Sequence, residues 1–230
     1  MQTYSATNGY RQSTPAAVAM RGTTNMPRQA PAPKAPGALR HLVRGEELFA
    51  EGDDADHFYK VVSGTIRTYK LLNDGRRQID AFQLAGDIFG METGAEHRFS
   101  AEAVEGTTVL VVRRCAFTTL AQDNPAFGNQ VMISMLTSLE RAHDHMLLLG
   151  RKTAQEKIAT FLLGIAARIA KGDRFDLPMQ RSDIADHLGL TIETVSRTLT
   201  QLTKAGLIEL AAASRCVLLR DKPALQRLNA

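Results

Sequence analysis

Residues 177–210 read LPMQRSDIADHLGLTIETVSRTLTQLTKAGLIEL, and this stretch decides how the C-terminal part of the chain folds. Ile184 and Leu188 lie four residues apart and give a short first helix one apolar face. Gly189 then offers a turn, because a residue without a Cβ adopts positive φ at little cost. Thr191 is a good N-cap for a second helix, since its hydroxyl can accept a hydrogen bond from a free backbone N–H. Two short helices joined by a glycine turn predict a helix-turn-helix.

A wing follows the second helix in the sequence. Gly206 stands where glycine commonly ends a helix. The runs LIEL (207–210) and CVLLR (216–220) then flank AAASR, a pattern of two short strands around a turn. The stretch therefore predicts a winged helix-turn-helix, in a DNA-binding domain that we place at residues 151–230.

The second predicted helix has one apolar and one polar face. The apolar face repeats at i, i+4 and i+7: Val195, Leu199 and Leu202. The polar face carries three side chains: Glu193, Ser196 and Arg197. In a helix-turn-helix the second helix enters the major groove with its N-terminal residues against base edges. Arginine can bind guanine O6 and N7 together, and glutamate can accept from the cytosine amino group. We therefore expect these three residues to read bases; the alternative is a solvated Glu193–Arg197 pair, worth about 0.2–0.5 kcal/mol.

Charge divides unevenly along the 230 residues. Residues 1–36 hold four basic residues and no acidic one. Residues 37–150 hold 11 basic and 16 acidic residues, a balance of −5. Residues 151–230 hold 13 basic and 8 acidic residues, a balance of +5. A basic C-terminal segment behind an acidic middle favours a polyanionic partner, here double-stranded DNA.

The composition also changes after the first 36 residues. Residues 1–36 are rich in Pro, Ala, Thr and Gln and predict a disordered arm. Between residues 37 and 121, short β-like runs alternate with glycines, and NDG at 73–75 is a two-residue hairpin signal. Many short strands at this spacing predict a β jelly roll or barrel. With the helical C-terminal domain, the chain belongs to the α+β class.

A long helix is predicted between the two domains, over residues 122–150 with its start near Asn124-Pro125. It carries a narrow apolar stripe with 3–4 spacing: Met132, Met135, Leu139, Ala142, Met146 and Leu149. A narrow stripe is typical of a seam between two helices, whereas packing on a globular core needs a wider apolar face. We therefore expect a homodimer through this stripe. A helix packed only on its own barrel is the alternative.

In this order of parts, residues 37–230 resemble the CRP/FNR superfamily of bacterial transcription regulators. ETVSR at 193–197 matches the E-x-x-S-R recognition pattern of the FNR branch, and RSDIADHLGLTIETVSR at 181–197 is particularly similar to the FixK group of low-oxygen regulators. The resemblance implies a jelly roll related to cyclic-nucleotide-binding domains and a palindromic DNA site with TTGA-like half-sites. It also implies activation of low-oxygen genes, with RNA polymerase as a protein partner. By position it implies contacts to DNA phosphates from four residues: Arg181, Ser182, Thr191 and Thr194.

The sequence departs from the cyclic-AMP-binding branch at FGMETGAEHRFSA, residues 89–101. That branch has G-E directly after a buried strand, and an adjacent R-S pair that holds the cyclic phosphate. Here single residues interrupt both motifs: Met91 lies between Gly90 and Glu92, and Phe99 lies between Arg98 and Ser100. The second insertion turns the arginine away from its serine, because successive strand residues face opposite sides. We therefore expect activity without a cyclic nucleotide.

Other classes of function find little support. Cys115 and Cys216 are too few for the iron–sulfur cluster of the FNR oxygen sensors. No Ser–His–Asp order, phosphate loop or H-E-x-x-H motif indicates an enzyme, and no apolar run approaches the roughly 18 residues of a membrane span. We expect a cytoplasmic regulator with no cofactor, no metal and no membrane contact. The alternative is a regulator of the same fold controlled by a small molecule, or by haem on a histidine such as His57 or His97.

Overall fold

Eight short strands build the N-terminal domain of the computed structural model, which describes residues 37–211 and 215–229. They are β1 (Ala38–Leu42), β2 (Glu47–Phe49), β3 (His57–Ser63), β4 (Thr65–Leu71), β5 (Arg77–Leu84), β6 (Ile88–Phe89), β7 (Ser100–Ala103) and β8 (Thr107–Arg113). They form two antiparallel sheets, β1-β8-β3-β6 and β2-β7-β4-β5. Buried side chains from both sheets share one core, as the predicted jelly roll requires. The predicted arm, residues 1–36, lies outside the described residues.

The hairpin between β4 and β5 lies where NDG predicts one. The Leu72 N–H donates to the Arg76 carbonyl at 2.8 Å, and the Gly75 N–H donates to the Leu72 carbonyl at 2.9 Å. The loop inside this pair holds three residues rather than the two predicted, and it ends at Gly75 with φ +81°. This is a common three-residue hairpin, in which the last position needs the left-handed region. The NDG motif correctly predicts that Gly75 has positive φ. It does not predict that Leu72 and Arg76 are the pair that closes the loop.

A long helix leaves the barrel at the predicted place. A short helix α1 (Phe117–Asp123) precedes it, and α2 spans Pro125–Arg151. The side chain of Asn124 accepts from the Phe127 N–H at 3.2 Å and so caps α2. Val131, near its start, is buried against the barrel, and Leu148, near its end, is buried against the C-terminal domain. The helix therefore touches both domains.

The C-terminal domain begins directly after α2. Its elements are α3 (Ala154–Ile169), β9 (Arg174–Asp176), α4 (Arg181–Leu188), α5 (Ile192–Lys204), β10 (Ile208–Leu210), β11 (Cys216–Leu219) and α6 (Lys222–Asn229). Strands β10 and β11 pair antiparallel as the predicted wing, and the tip between them, residues 212–214, lies outside the described residues. Strand β9 adds a third strand to this sheet. The sequence pattern does not predict β9, because three residues show no period.

Gly64 joins β3 to β4 at a point where a side chain has no room. Its φ is +83°, and a Cβ built there would lie 2.5 Å from the hydroxyl oxygen of Thr107 and 2.6 Å from the carbonyl oxygen of Gly106. Gly75 has a similar φ of +81°, but nothing lies within 4 Å of its Cβ position. The two glycines thus share the backbone requirement and differ in the space around them.

We expect Gly64→Ala to lower the free energy of unfolding by roughly 3 kcal/mol or more, because a steric clash adds to the cost of positive φ. Gly75→Ala is the matched control and should cost roughly 1–2 kcal/mol, the backbone term alone. Urea unfolding of both variants measures the difference. Equal losses would show that the space around Gly64 relaxes freely.

Candidate nucleic-acid interface

Helix α5 is anchored by a fully buried apolar face. Val195, Leu199 and Leu202 are at most 2% exposed, and they pack in the same core as α3 and α4. Gly189, between α4 and α5, has φ +63°, as the predicted glycine turn requires. The hydroxyl of Thr191 accepts from the Thr194 N–H at 3.2 Å and caps the start of α5. The predicted helix-turn-helix is therefore present, with its second helix held firmly in place.

The polar face of α5 points away from this core. Glu193 and Arg197 are exposed, and Ser196 is partly buried. The hydroxyl of Ser196 accepts from Nη1 of Arg181 at 3.3 Å, so α4 contributes a guanidinium to this face. Hydrogen bonds from its own backbone N–H and from the Thr191 hydroxyl lower the pKa of the Glu193 carboxyl. An ionised carboxylate is an acceptor only, which suits a donor such as a cytosine amino group.

The four residues predicted to contact phosphates lie at the starts of α4 and α5. Arg181 and Thr191 are exposed, and Ser182 and Thr194 are partly buried. The hydroxyl oxygens of Thr191 and Thr194 lie 3.1 Å apart in a hydrogen bond. Helix starts present free backbone N–H groups and the positive end of the helix dipole, which favour an anion. The arrangement can therefore hold phosphates beside the exposed face of α5.

In the barrel segment that departs from the cyclic-AMP branch, one histidine packs inward. The His97 ring is 2% exposed and stacks on Phe49 with ring centroids 3.6 Å apart. The Tyr59 ring also stacks on Phe49, with the two ring centroids 5.2 Å apart. The Arg98 side chain is exposed, while the Ser100 hydroxyl accepts from the Glu51 N–H at 2.9 Å. Aromatic rings thus occupy the barrel interior next to this segment, and burial lowers the pKa of His97.

Comparisons with known proteins follow the same division of the chain. A Crp-like helix-turn-helix domain matches residues 156–228, and a cyclic nucleotide-binding domain matches residues 39–124. The nitrogen fixation regulation protein FixK of Azorhizobium caulinodans is 48% identical over 193 residues, which cover 82% of this chain and 77% of that protein. The transcriptional activatory protein AadR of Rhodopseudomonas palustris is 46% identical over 167 residues, covering 71% of this chain and 70% of that protein. The structure of FixK2 from Bradyrhizobium japonicum is 44% identical with a TM-score of 0.78, covering 84% of this chain and 97% of that one.

The chain belongs to the CRP/FNR family. As a member of this family it is a DNA-binding transcription regulator and not an enzyme, which confirms the predicted resemblance and fold class. Among the described residues of this CRP/FNR regulator, no helix is long and apolar enough to cross a membrane. In the same ranges, no group of three His, Cys, Asp or Glu side chains is placed to hold a metal ion.

No local sequence pattern predicts how the DNA-binding domain of this CRP/FNR regulator attaches to its barrel. Asp183 on α4 is 3% exposed and accepts from Nη1 of Arg67 at 2.8 Å and from Nη2 of Arg77 at 2.7 Å. Asp186, one turn later, lies 2.8 Å from the same Nη2 of Arg77. An acid beside the buried Ile184 is an unusual feature in a sequence, because aspartate is seldom buried without a partner. Its partners lie more than a hundred residues away, where no local pattern points to them.

Two histidines meet at the junction of α2, α4 and β5. The rings of His145 and His187 stack with centroids 4.1 Å apart and an angle of 10° between their planes. Nδ1–H of His187 donates to the Ile79 carbonyl on β5 at 3.1 Å. Burial, followed by the neighbouring His145, lowers the pKa of His187 to about 3. The His187 ring is therefore neutral at pH 7, so that it can pack face to face with the second ring.

Proposed function

We propose that this regulator acts in the cytoplasm as a homodimeric transcription activator that reads a palindrome with TTGA-like half-sites, without a cyclic nucleotide. The observation that carries the proposal is the Glu193, Ser196 and Arg197 face on a helix whose opposite face is fully buried. The FixK-like motif supports low-oxygen genes as targets. The name of the AadR relative, a transcriptional activatory protein, supports an activating role. RNA polymerase is then the protein partner that an activator needs.

Each side chain of this face has a separate role in the proposal. Arg197, long and exposed, reaches a guanine and can bind O6 and N7 together. Glu193, one turn earlier, accepts from a cytosine amino group. Ser196 is short and lets the helix sit deep in the groove. The four predicted phosphate contacts, at the starts of α4 and α5, fix the register of the protein without specifying sequence.

We expect Arg197→Ala to cost about 1–3 kcal/mol at one guanine position and to relax specificity there, because a bidentate contact is lost. Arg227→Ala, which removes an exposed arginine from α6, is the matched control and should keep the discrimination. Titration of labelled palindromes that differ at single positions measures both. If Arg197→Ala discriminates between these palindromes as well as the wild type does, Arg197 does not read a base.

The dimer part of the proposal uses the free side of α2. Met132, Met135, Leu139 and Met146 are 47–63% exposed in the single chain, so the predicted stripe is available to a partner. The apolar face is wider than predicted, because three more side chains are also exposed: Ile133, Leu136 and Leu147. Ala142 is exposed as well. Leu149 differs from the rest of the stripe: it is partly buried, with Cδ2 3.6 Å from the Cβ position of Gly189.

An exposed apolar face of this length supports a two-fold seam between two copies of α2. A seam of that symmetry is self-complementary, so each exposed stripe residue meets the same stripe on its partner. Large exposed apolar patches on a single chain commonly mark such an interface. Since no stripe residue is charged, assembly brings no like charges together. Two recognition helices then stand roughly 34 Å apart, one turn of DNA.

We expect Leu139→Glu to shift the protein towards monomer and to abolish binding to the palindrome, because it places two carboxylates in a dry seam. Val43→Glu, at a barrel side chain that is 71% exposed, is the control for an added exposed charge and should stay dimeric. Analytical ultracentrifugation gives the oligomeric state, and circular dichroism checks that both variants are folded. A Leu139→Glu dimer with normal DNA binding would place the seam elsewhere.

Independence from an effector rests on the packed barrel interior. The rings of Phe49, Tyr59 and His97 pack together in the barrel interior beside the 89–101 segment. The Arg98 side chain is exposed, while the Ser100 hydroxyl accepts from the Glu51 N–H. One observation favours the second candidate, a haem-responsive regulator: within the described residues, neither ring nitrogen of the buried His97 has a hydrogen-bond partner. The ring is already stacked on Phe49, and on this ground we favour the effector-free regulator.

We expect purified protein to show no Soret absorption and no saturable heat when titrated with cyclic AMP, while it binds the palindrome with full affinity. His97→Phe should leave DNA binding unchanged, because a phenyl ring keeps the stack on Phe49. A Soret band lost in His97→Phe would establish the haem-responsive alternative. Saturable heat with cyclic AMP would instead show that the protein binds a cyclic nucleotide.

A further inference from the structure

Strand β5 holds the DNA-binding domain at its first residue. Arg77 begins the strand, and its guanidinium contacts Asp186 through Nε at 2.9 Å and through Nη2 at 2.8 Å. The same Nη2 lies 2.7 Å from Asp183, which also binds Arg67 of the neighbouring strand β4. We name these four side chains the barrel clamp. All four are at least two-thirds buried, so their contacts are little screened by solvent.

A second attachment lies at the other end of β5. Asp87 follows the strand and pairs with Arg168 of α3 and, at 3.1 Å, with Arg141 of α2. Arg168 also donates to the carbonyl of Phe82 at 3.2 Å. A body held at one point can pivot, whereas a body held at both ends of an eight-residue strand cannot. The two attachments together fix the orientation of the domain relative to α2.

The clamped side of the DNA-binding domain is not its reading side. Asp183 and Asp186 take the clamp contacts and are buried or partly buried, whereas Glu193 and Arg197 stay exposed. The clamp contacts therefore leave the proposed base-reading face free for DNA. They fix the direction of that face relative to the barrel.

We propose that Arg67 and Arg77 are positioning residues for DNA recognition: through Asp183 and Asp186 they set the separation and the angle of the two recognition helices. The inference rests on the proposed homodimer and palindrome. Its physical basis is that a buried carboxylate needs its cation in one geometry, since loss of the partner leaves an unpaired charge away from water. A guanidinium fork adds direction, because it binds a carboxylate along fixed lines. Neither arginine touches DNA in this proposal.

The test varies the spacing between the two half-sites. Each inserted base pair moves one half-site by about 3.4 Å and rotates it by about 35° relative to the other. The wild-type protein should therefore have one preferred spacing between the two TTGA half-sites. It should bind that palindrome much more tightly than palindromes whose spacing is one or two base pairs longer. Arg77→Gln should weaken this spacing preference by about tenfold, within the range of roughly 5- to 150-fold typical of coupling between sites.

Arg76→Gln is the matched control, because Arg76 is exposed and pairs only with Asp74 inside the hairpin among the described residues. It should keep the wild-type spacing preference. Binding to a single half-site should be the same for all three proteins, since the reading face is untouched. A general loss of stability would lower every affinity alike, so the spacing preference isolates the positioning role.

A charge exchange keeps the proposal testable if Arg77→Gln fails to fold. The double variant Arg77→Asp with Asp186→Arg should restore most of the preference that Arg77→Asp alone removes. A wild-type protein that binds no palindrome would overturn the proposed function itself. If the wild type has a clear spacing preference and Arg77→Gln retains it, the positioning role of the barrel clamp is wrong. The same holds if the double variant is a folded dimer but does not regain the spacing preference. Either result leaves the proposed function intact.

Discussion

A buried carboxylate needs a positive partner, and Asp183 obtains its partners from a different domain. It is 3% exposed, and two guanidinium groups of the barrel lie within 2.8 Å of it. The cost of taking such a charge out of water is offset only when its partners are correctly placed. The position of the helix-turn-helix therefore depends on the barrel as much as on its own core. In our proposal, this contact also orients the exposed face of α5 towards DNA.

The same dependence explains why β5 serves two domains at once. Its backbone pairs with β4 in the barrel sheet, while Arg77, Ile79 and Phe82 all contact helices of the DNA-binding domain. The neutral ring of His187 fits this junction because its burial disfavours a charge there. Polar contacts at the two ends of the strand and aromatic contacts between them make one continuous interface. The described residues from 37 onward accordingly pack as a single compact unit.

How far the sequence predicts this molecule depends on the range of each interaction. Capping and glycine turns are local, and Asn124, Gly189 and Thr191 all occupy the roles that their neighbours indicate. The buried and exposed faces of α5 also follow from a period that a few turns suffice to show. Arg67 and Asp183 are 116 residues apart, so no period or spacing could pair them. The partial burial of Leu149 escapes a stripe pattern for the same reason, since its side chain lies beside Gly189, which is far from it in the sequence.

The barrel clamp also bears on how such proteins exchange parts. Domain shuffling is usually pictured as joining units that carry their own cores and meet at a loose linker. Here two aspartates of one unit are neutralised by two arginines of the other, so a recombined gene that inherits only one half would carry an unbalanced interface. We therefore expect a barrel and a winged helix of this type to be inherited together, with substitutions at Arg77 and Asp186 arising as compensating pairs.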